Sequence, residues 1–334
     1  MGDGERRKAE VPAPGFDRWR HRFSLLLASA TVVLLAAGGL VTSTGSGLAV
    51  PDWPLSFGKV FPPMVGGVLF EHGHRLVAAT VGLLTFVTLV WHARRERRRW
   101  VRALAFAAFG MVVLQGLLGG LTVLLRLPPV VSVAHACLAQ AFFSVVVVLA
   151  EVTSPGHHAG VRGPLGRGRR PSLPVLAGLA GALVYAQLVL GAVMRHTGAG
   201  LAIPDVPLAF GRLVPPFLSL EIGVHFAHRV GAIAIAAAVL WVAVRASRYP
   251  ERPDLVAPAR LAVALVVLQI ALGGASVLSR LAVVPTTAHL VCGALLLATL
   301  IVLTIRAARA GVALPRAMTA AAQDRLVDQE RVPA

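Results

Sequence analysis

The chain has 334 residues, of which 56% are hydrophobic and only 14% charged, and its mean hydropathy is +0.75. Soluble domains carry about a quarter charged residues, so the composition excludes an ordinary soluble enzyme and implies an all-α polytopic membrane protein. The net charge of +17 invites a nucleic-acid role, but no soluble basic domain exists to carry one, and none is assigned.

A bilayer core of about 30 Å takes roughly 20 apolar residues per helix. Apolar runs of that size occupy residues 23–41, 75–91, 101–125, 130–150, 174–194, 225–244, 259–279 and 285–305, which predicts eight transmembrane helices. The first run is too long for a secretory signal, lacks a convincing small-residue cleavage site, and is followed by further spans. Arginines crowd alternate segments: Arg6, Arg7, Arg18, Arg20 and Arg22; then Arg94, Arg95, Arg97, Arg98 and Arg99; then Arg162, Arg167, Arg169 and Arg170; then Arg245, Arg248 and Arg252; then the tail after Arg306. The intervening loops hold only Lys59 and Arg126, then Arg195, Arg212 and Arg280. By the positive-inside rule both termini are expected in the cytoplasm of a cell-membrane protein.

The chain also repeats. Thr44-Gly-Ser-Gly-Leu-Ala-Val-Pro-Asp-Trp-Pro-Leu-Ser-Phe-Gly58 returns as Thr197-Gly-Ala-Gly-Leu-Ala-Ile-Pro-Asp-Val-Pro-Leu-Ala-Phe-Gly211. His74 returns as His228 and His135 as His289, both 154 positions on, and Leu114-Gln-Gly-Leu-Leu-Gly-Gly120 matches Leu268-Gln-Ile-Ala-Leu-Gly-Gly274. Four spans per copy bring the chain back to its starting side. The expectation is therefore two tandem four-helix bundles related by a pseudo-twofold axis along the membrane normal. The expected organisation is a cytoplasmic segment 1–22, an N-terminal bundle 23–151, a linker 152–173, a C-terminal bundle 174–306 and a cytoplasmic tail 307–334.

An ionisable side chain in an apolar helix is costly, so four histidines at matched positions need a reason. All four fall near the start of helices running from outside to inside, which places them near the outer face. Helix axes lie about 8–10 Å apart, enough for two imidazoles to grip a flat macrocycle and its iron: His74 with His135, and His228 with His289. Zinc asks for three or four ligands, and copper usually recruits sulfur; neither is offered. The alternative is that the histidines only hydrogen-bond helices together. Arg75 and Arg229 follow their histidines and are expected either to meet haem propionates or to snorkel. Glu71 shares a helix face with His74, and its counterpart is His225. It is expected either to handle protons at a reacting ring or to serve the helix dipole. Gly119-Gly120 and Gly273-Gly274 would let a ring or another helix approach the backbone. Trp53, which becomes Val206 in the second copy, is either a wall of the substrate pocket or an interfacial anchor. His72 reads as interfacial, and Cys137 and Cys292 as apolar packers.

The Thr44 to Gly58 loop, Glu71-x-x-His74-Arg75, His135, and the repeated His228-Arg229 and His289 resemble the haem A synthase family over about residues 20–306. The resemblance implies a membrane oxidoreductase acting on a CH3 group, which converts haem O to haem A by two successive hydroxylations of the C8 methyl to a formyl. It implies haem O at Glu71, His74 and His135, and a permanent haem b on His228 and His289. It also implies haem-copper terminal oxidases as the consumers of the product, the protohaem farnesyltransferase that makes haem O and oxidase assembly factors as partners, and a membrane electron donor. Many members carry a cysteine pair in the outer loop; the matching positions here are Val50 and Ser56, then Ile203 and Ala209, so no loop disulfide is expected. Two other functions compete. A di-haem b-type electron-transfer cytochrome commonly stacks its haems through the membrane with two histidines on one helix, unlike the single repeated histidine per helix here. A transporter built on parallel repeats would want mid-membrane polar groups, for which Gln115 and Gln269 are the only repeated candidates.

Overall fold

A computed structural model describes residues 16–158, 171–216 and 218–310. It is helical throughout, with no β-strand among the described residues. The helices are α1 (Arg18–Ser43), α2 (Gly67–Arg95), α3 (Arg99–Leu124), α4 (Pro129–Val152), the single turn α5 (Pro155–His158), α6 (Leu173–His196), α7 (Leu220–Ala246), α8 (Pro253–Leu278) and α9 (Val283–Ala310). All but α5 are long and apolar enough to cross a bilayer, eight candidate spans. The predicted linker and tail fall largely on residues 159–170 and 311–334, outside the described residues.

Local signals explain the ends. Asp17 caps α1 by accepting hydrogen bonds from the Trp19 and Arg20 N–H groups, and Ser219 caps α7 through Ile222. Proline opens α4, α6 and α8, where its missing N–H costs nothing. The tight α3–α4 and α8–α9 corners are twins. Leu127 N–H donates to the Thr122 carbonyl and Leu281 N–H to the Ser276 carbonyl, each at 2.7 Å, closing the helix end in a Schellman-like wrap.

α1 packs on α2 and α4, α2 on α3, and α3 on α4; α6 packs on α7 and α9, α7 on α8, and α8 on α9. Leu27, Val81, Val101, Phe142, Val146 and Leu149 fill the first ring of helices. Leu176, Ala180, Val239, Leu255, Ala262 and Leu300 fill the second. α1 and α4 meet α6 and α9 between the rings, around Leu35, Phe143, Val147 and Ala294. Leu83, Leu117, Leu179, Ile233 and Val267 point outward and stay exposed, as lipid-facing side chains do.

One boundary differs from expectation. α2 begins at Gly67 and α7 at Leu220, ahead of the apolar runs at 75 and 225. Hydropathy stops at the polar residues there, but their side chains have partners in the loops, so the helix continues through them. The four repeated histidines consequently lie six to eight residues inside their helices, about 10 Å along the axis.

Candidate functional site

Each repeated histidine rests on a glycine of the preceding long helix. A Cβ placed on Gly38 of α1 would stand 3.1 Å from Cε1 of His74 on α2. The same atom of His135 on α4 would lie 3.3 Å from a Cβ on Gly119 of α3. For His228 over Gly191 the distance is 3.1 Å, and for His289 over Gly273 it is 3.0 Å. Carbon atoms prefer about 3.5–4.0 Å, so any side chain at these four positions crowds a ring. In every case Cε1 is the ring atom nearest the glycine and Nδ1 the next, so the Cε1 corner of each ring leans on the helix.

Glutamines brace this arrangement, two of them repeated (Gln115 and Gln269) and one, Gln187, found in the second copy only. Gln115 Nε2 donates to the His135 carbonyl at 2.9 Å, and Gln187 Nε2 to the His228 carbonyl at 2.6 Å. Gln269 serves His289 twice: its carbonyl lies 3.0 Å from Nδ1, and its side-chain nitrogen 3.2 Å from Nε2. The Nδ1 atoms of His74, His135 and His228 are buried without a hydrogen-bond partner. His228 and His289 have ring centres 6.3 Å apart. Two imidazoles sharing one metal through bonds of about 2 Å would have ring centres roughly 6 Å apart, a separation that this pair shows. His74 and His135 lie within electrostatic reach of each other.

The loop between α1 and α2 folds over the first pair. Asp52 accepts from the Phe57 and Gly58 N–H groups at 2.7 and 2.8 Å; its twin Asp205 accepts from Phe210 and Gly211 at 2.8 and 2.9 Å. The N–H of Gly58, then that of Phe57, holds the Asp52 carboxyl below its ordinary pKa. Gly211 and Phe210 do the same for Asp205. The tip of the loop lays the Trp53 indole against Gly120, next to the seat of His135; Val206 meets Gly274 in the second loop.

Residues read as haem contacts also hold this loop. Glu71, 3% exposed, accepts the Val50 N–H at 2.8 Å and pairs with Arg75 at 2.6 Å. His225 takes the same place in the second copy, where its Nδ1 accepts from the Ile203 N–H at 3.3 Å. Arg75 Nη1 donates to the carbonyls of Asp52 (2.8 Å) and Leu55 (2.9 Å). Arg229 donates to those of Leu208 (2.8 Å), Ile203 (3.1 Å) and Asp205 (2.7 Å). Both guanidiniums thus clamp loop carbonyls. His72 is a correction: it is buried, with Nδ1 2.8 Å from the Ser56 hydroxyl, because the loop folds back over α2 and removes it from the interface. Alanine and phenylalanine replace this pair at 209 and 226. Cys137 and Cys292 are free thiols within helices.

Sequence reasoning missed Gly38 and Gly191, although their spacing of 153 matches that of the loops. It also treated Arg195 only as a sparse outer-side charge. Its side chain in fact enters the junction of the two rings, with Nη2 2.8 Å from the Ser43 hydroxyl.

Residues 66–301 match the COX15-CtaA family, described as cytochrome oxidase assembly protein. Over 257 residues the chain is 38% identical to a heme A synthase of Symbiobacterium thermophilum, covering 74% of this chain and 82% of that protein. The heme A synthase of Halalkalibacterium halodurans is 33% identical over 274 residues, 77% of this chain and 86% of that protein. That of Shouchella clausii is 32% identical over 273 residues, with the same coverage. With this family match, and with relatives above 30% identity along most of both chains, the protein belongs to the heme A synthase family of multi-pass membrane proteins.

Proposed function

We propose that the chain is a haem A synthase, an oxidoreductase acting on a CH3 group, which oxidises the C8 methyl of haem O to the formyl of haem A in two hydroxylations. The observation that carries this is the fourfold imidazole-on-glycine seat, with one pair of rings 6.3 Å apart. It supplies two ligand pairs in one chain, as a substrate macrocycle and a resident one require.

The substrate pair is His74 and His135, walled by Trp53; the resident haem b is held by His228 and His289. When bound, iron between protein imidazoles supplies electron transfer and oxygen chemistry. The protein's part is placement and proton handling. The glycine seats fix ring position, Trp53 closes the pocket from the loop side, and Glu71 places a carboxyl group for proton transfer one helical turn from His74. Arg75 and Arg229 fix the loops, and through them the mouths of the sites. The repeat makes the two rings pseudo-twofold mates, with both termini cytoplasmic and both pairs towards the outer face. A protohaem farnesyltransferase, a membrane electron donor and oxidase assembly factors are the partners this chemistry requires.

The test is extraction and mass analysis of haems from purified protein co-expressed with a source of haem O. Haem O, its hydroxylated intermediate and haem A alongside haem b are expected; haem b alone would instead make the protein an electron-transfer cytochrome. In Glu71→Ala, haem A is expected to fall at least tenfold relative to haem O, consistent with the loss of an acid–base group. Unchanged haem A would remove Glu71 from the chemistry.

A further inference from the structure

Among the described residues Arg195 is a cation with no carboxylate paired to it. It lies in the last turn of α6, and its side chain turns into the junction between the two helix rings. Nη2 donates to Ser43 Oγ of α1 at 2.8 Å, and that hydroxyl lies 3.2 Å from Thr287 Oγ1 of α9. Nε is buried without a partner. Among the described residues no carboxylate pairs with Arg195; Asp52 and Asp205 are occupied by loop amides, and Glu71 by Arg75. His196, next in the chain, lies within electrostatic reach of His135 of the neighbouring ring. The equivalent positions in the first copy are Thr42 and Ser43. The cation is therefore a feature of one copy, at the junction of α6 with α1 and α9.

A half-buried arginine with no paired carboxylate is costly, and a guanidinium with unspent N–H donors is shaped for a carboxylate. The other two arginines near the histidine pairs are committed to loop carbonyls. We propose that Arg195 is the carboxylate anchor of the macrocycle held by His74 and His135, so that the second ring of helices supplies a binding residue to the first ring's site. This rests on the haem function proposed above, and it assigns one specific contact within it: a propionate against Arg195, with His196 beside it.

The probes are iron protoporphyrin IX and its dimethyl ester, titrated into detergent-solubilised full-length protein and followed at the Soret band. The first-ring site is isolated by the His228→Ala/His289→Ala background. The free diacid is expected to bind at least tenfold more tightly than the diester, the size of one charge-assisted hydrogen bond. Arg195→Gln is expected to reduce that ratio to near one while leaving diester affinity within about twofold. Ser43→Ala, which removes the arginine's present partner but not its charge, is expected to keep the preference. An unmodified site that binds both forms equally overturns the anchor without any variant, as does an Arg195→Gln protein that keeps the full diacid preference. If neither macrocycle binds the background protein but both bind in His74→Ala/His135→Ala, the haem assignment of the first ring fails. That outcome also removes the anchor, by a route distinct from a lost preference.

Discussion

At the scale of single residues, the fit of the site is decided where side chains are missing. With Gly273 only 3.0 Å from the His289 ring once a Cβ is added, even a methyl group must push the imidazole by several tenths of an ångström. Overpacking of this kind costs about 1–3 kcal/mol, and here the yielding atoms are those of a proposed ligand. Gly273→Ala is expected to weaken haem retention in the second ring and shift its Soret band. Gly274→Ala, one residue on, meets only Val206 at 3.6 Å, an ordinary contact, and is expected to leave the spectrum unchanged; equal effects from the two would mean the seat has no role. The histidines are legible in the sequence because a titratable residue repeated within apolar runs stands out. The glycines beneath His74 and His228 are not, because glycine is common in membrane helices and only the packing of α1 on α2 and α6 on α7 singles out Gly38 and Gly191. Arg75 and Arg229 were legible as residues but not as clamps: what they hold is main-chain carbonyl, which carries no signature in sequence.

At the scale of elements, the two outer loops are one device built with different chemistry at its base. In the first, Ser56 and His72 form a fully buried polar pair 2.8 Å apart; in the second, Ala209 packs into an apolar cluster with Phe226 beside it. Breaking a buried hydrogen bond from one side costs about 1–3 kcal/mol, whereas replacing both partners by apolar groups can be nearly neutral. His72→Phe alone is therefore expected to lower thermal stability by that amount, and His72→Phe/Ser56→Ala to recover most of it, with the coupling read from a double-mutant cycle of unfolding midpoints. Additive losses would mean the pair is not coupled. The turn above it responds to acid. Because the Asp52 pKa is lowered by the Gly58 and Phe57 N–H groups, its contribution to loop order is full above the ordinary aspartate value of about 4 and is lost as pH falls below that, through the lowered value. An acid protease is expected to nick the loop of the unmodified protein only in that acidic range, while Asp52→Asn opens it to proteolysis at neutral pH. The repeated Pro-Asp and Phe-Gly positions make this turn readable from sequence. The burial of His72 is not, since it depends on the loop folding back onto its own helix.

At the scale of the molecule, the polar contacts between the two rings among the described residues lie at each end and at mid-height, where the Tyr185 hydroxyl of α6 donates to the Cys137 carbonyl of α4 at 3.1 Å. At the His-bearing end Arg195, Ser43 and Thr287 link α6, α1 and α9. At the other end Arg306 of α9 forks onto Glu151 of α4, Nε to Oε1 at 2.8 Å and Nη2 to Oε2 at 2.9 Å, and Arg309 Nη1 donates to the Gly156 carbonyl at 3.0 Å. The positive-inside pattern foretells arginines at this end but not their partners, because it counts charge and carries no pairing. Glu96 belongs to the same surface. Burial works against its ionisation, but hydrogen bonds from the Arg98 side chain and N–H, with Arg20 beside them, outweigh it and hold the pKa at about 2. Since Arg98 also donates to the Val152 carbonyl, Glu96 ties α2 to the end of α4. Its contribution is full above about pH 4.5 and is lost as pH falls from there towards 2. The Glu151–Arg306 fork differs in that it spans the two rings. Its arginine is about a third exposed and its carboxylate 7% exposed, so its contribution lies between that of a surface pair and that of a buried one, about 1–2 kcal/mol. Glu151→Arg leaves two arginines facing each other in a part-buried junction and is expected to lower the unfolding midpoint by several degrees. Glu151→Arg/Arg306→Glu restores the pair in reverse and should regain most of the loss. If the reversed pair is no more stable than the single variant, the fork is a bystander, and the rings are held by the apolar contact of Leu35, Phe143, Val147 and Ala294 together with the other polar links.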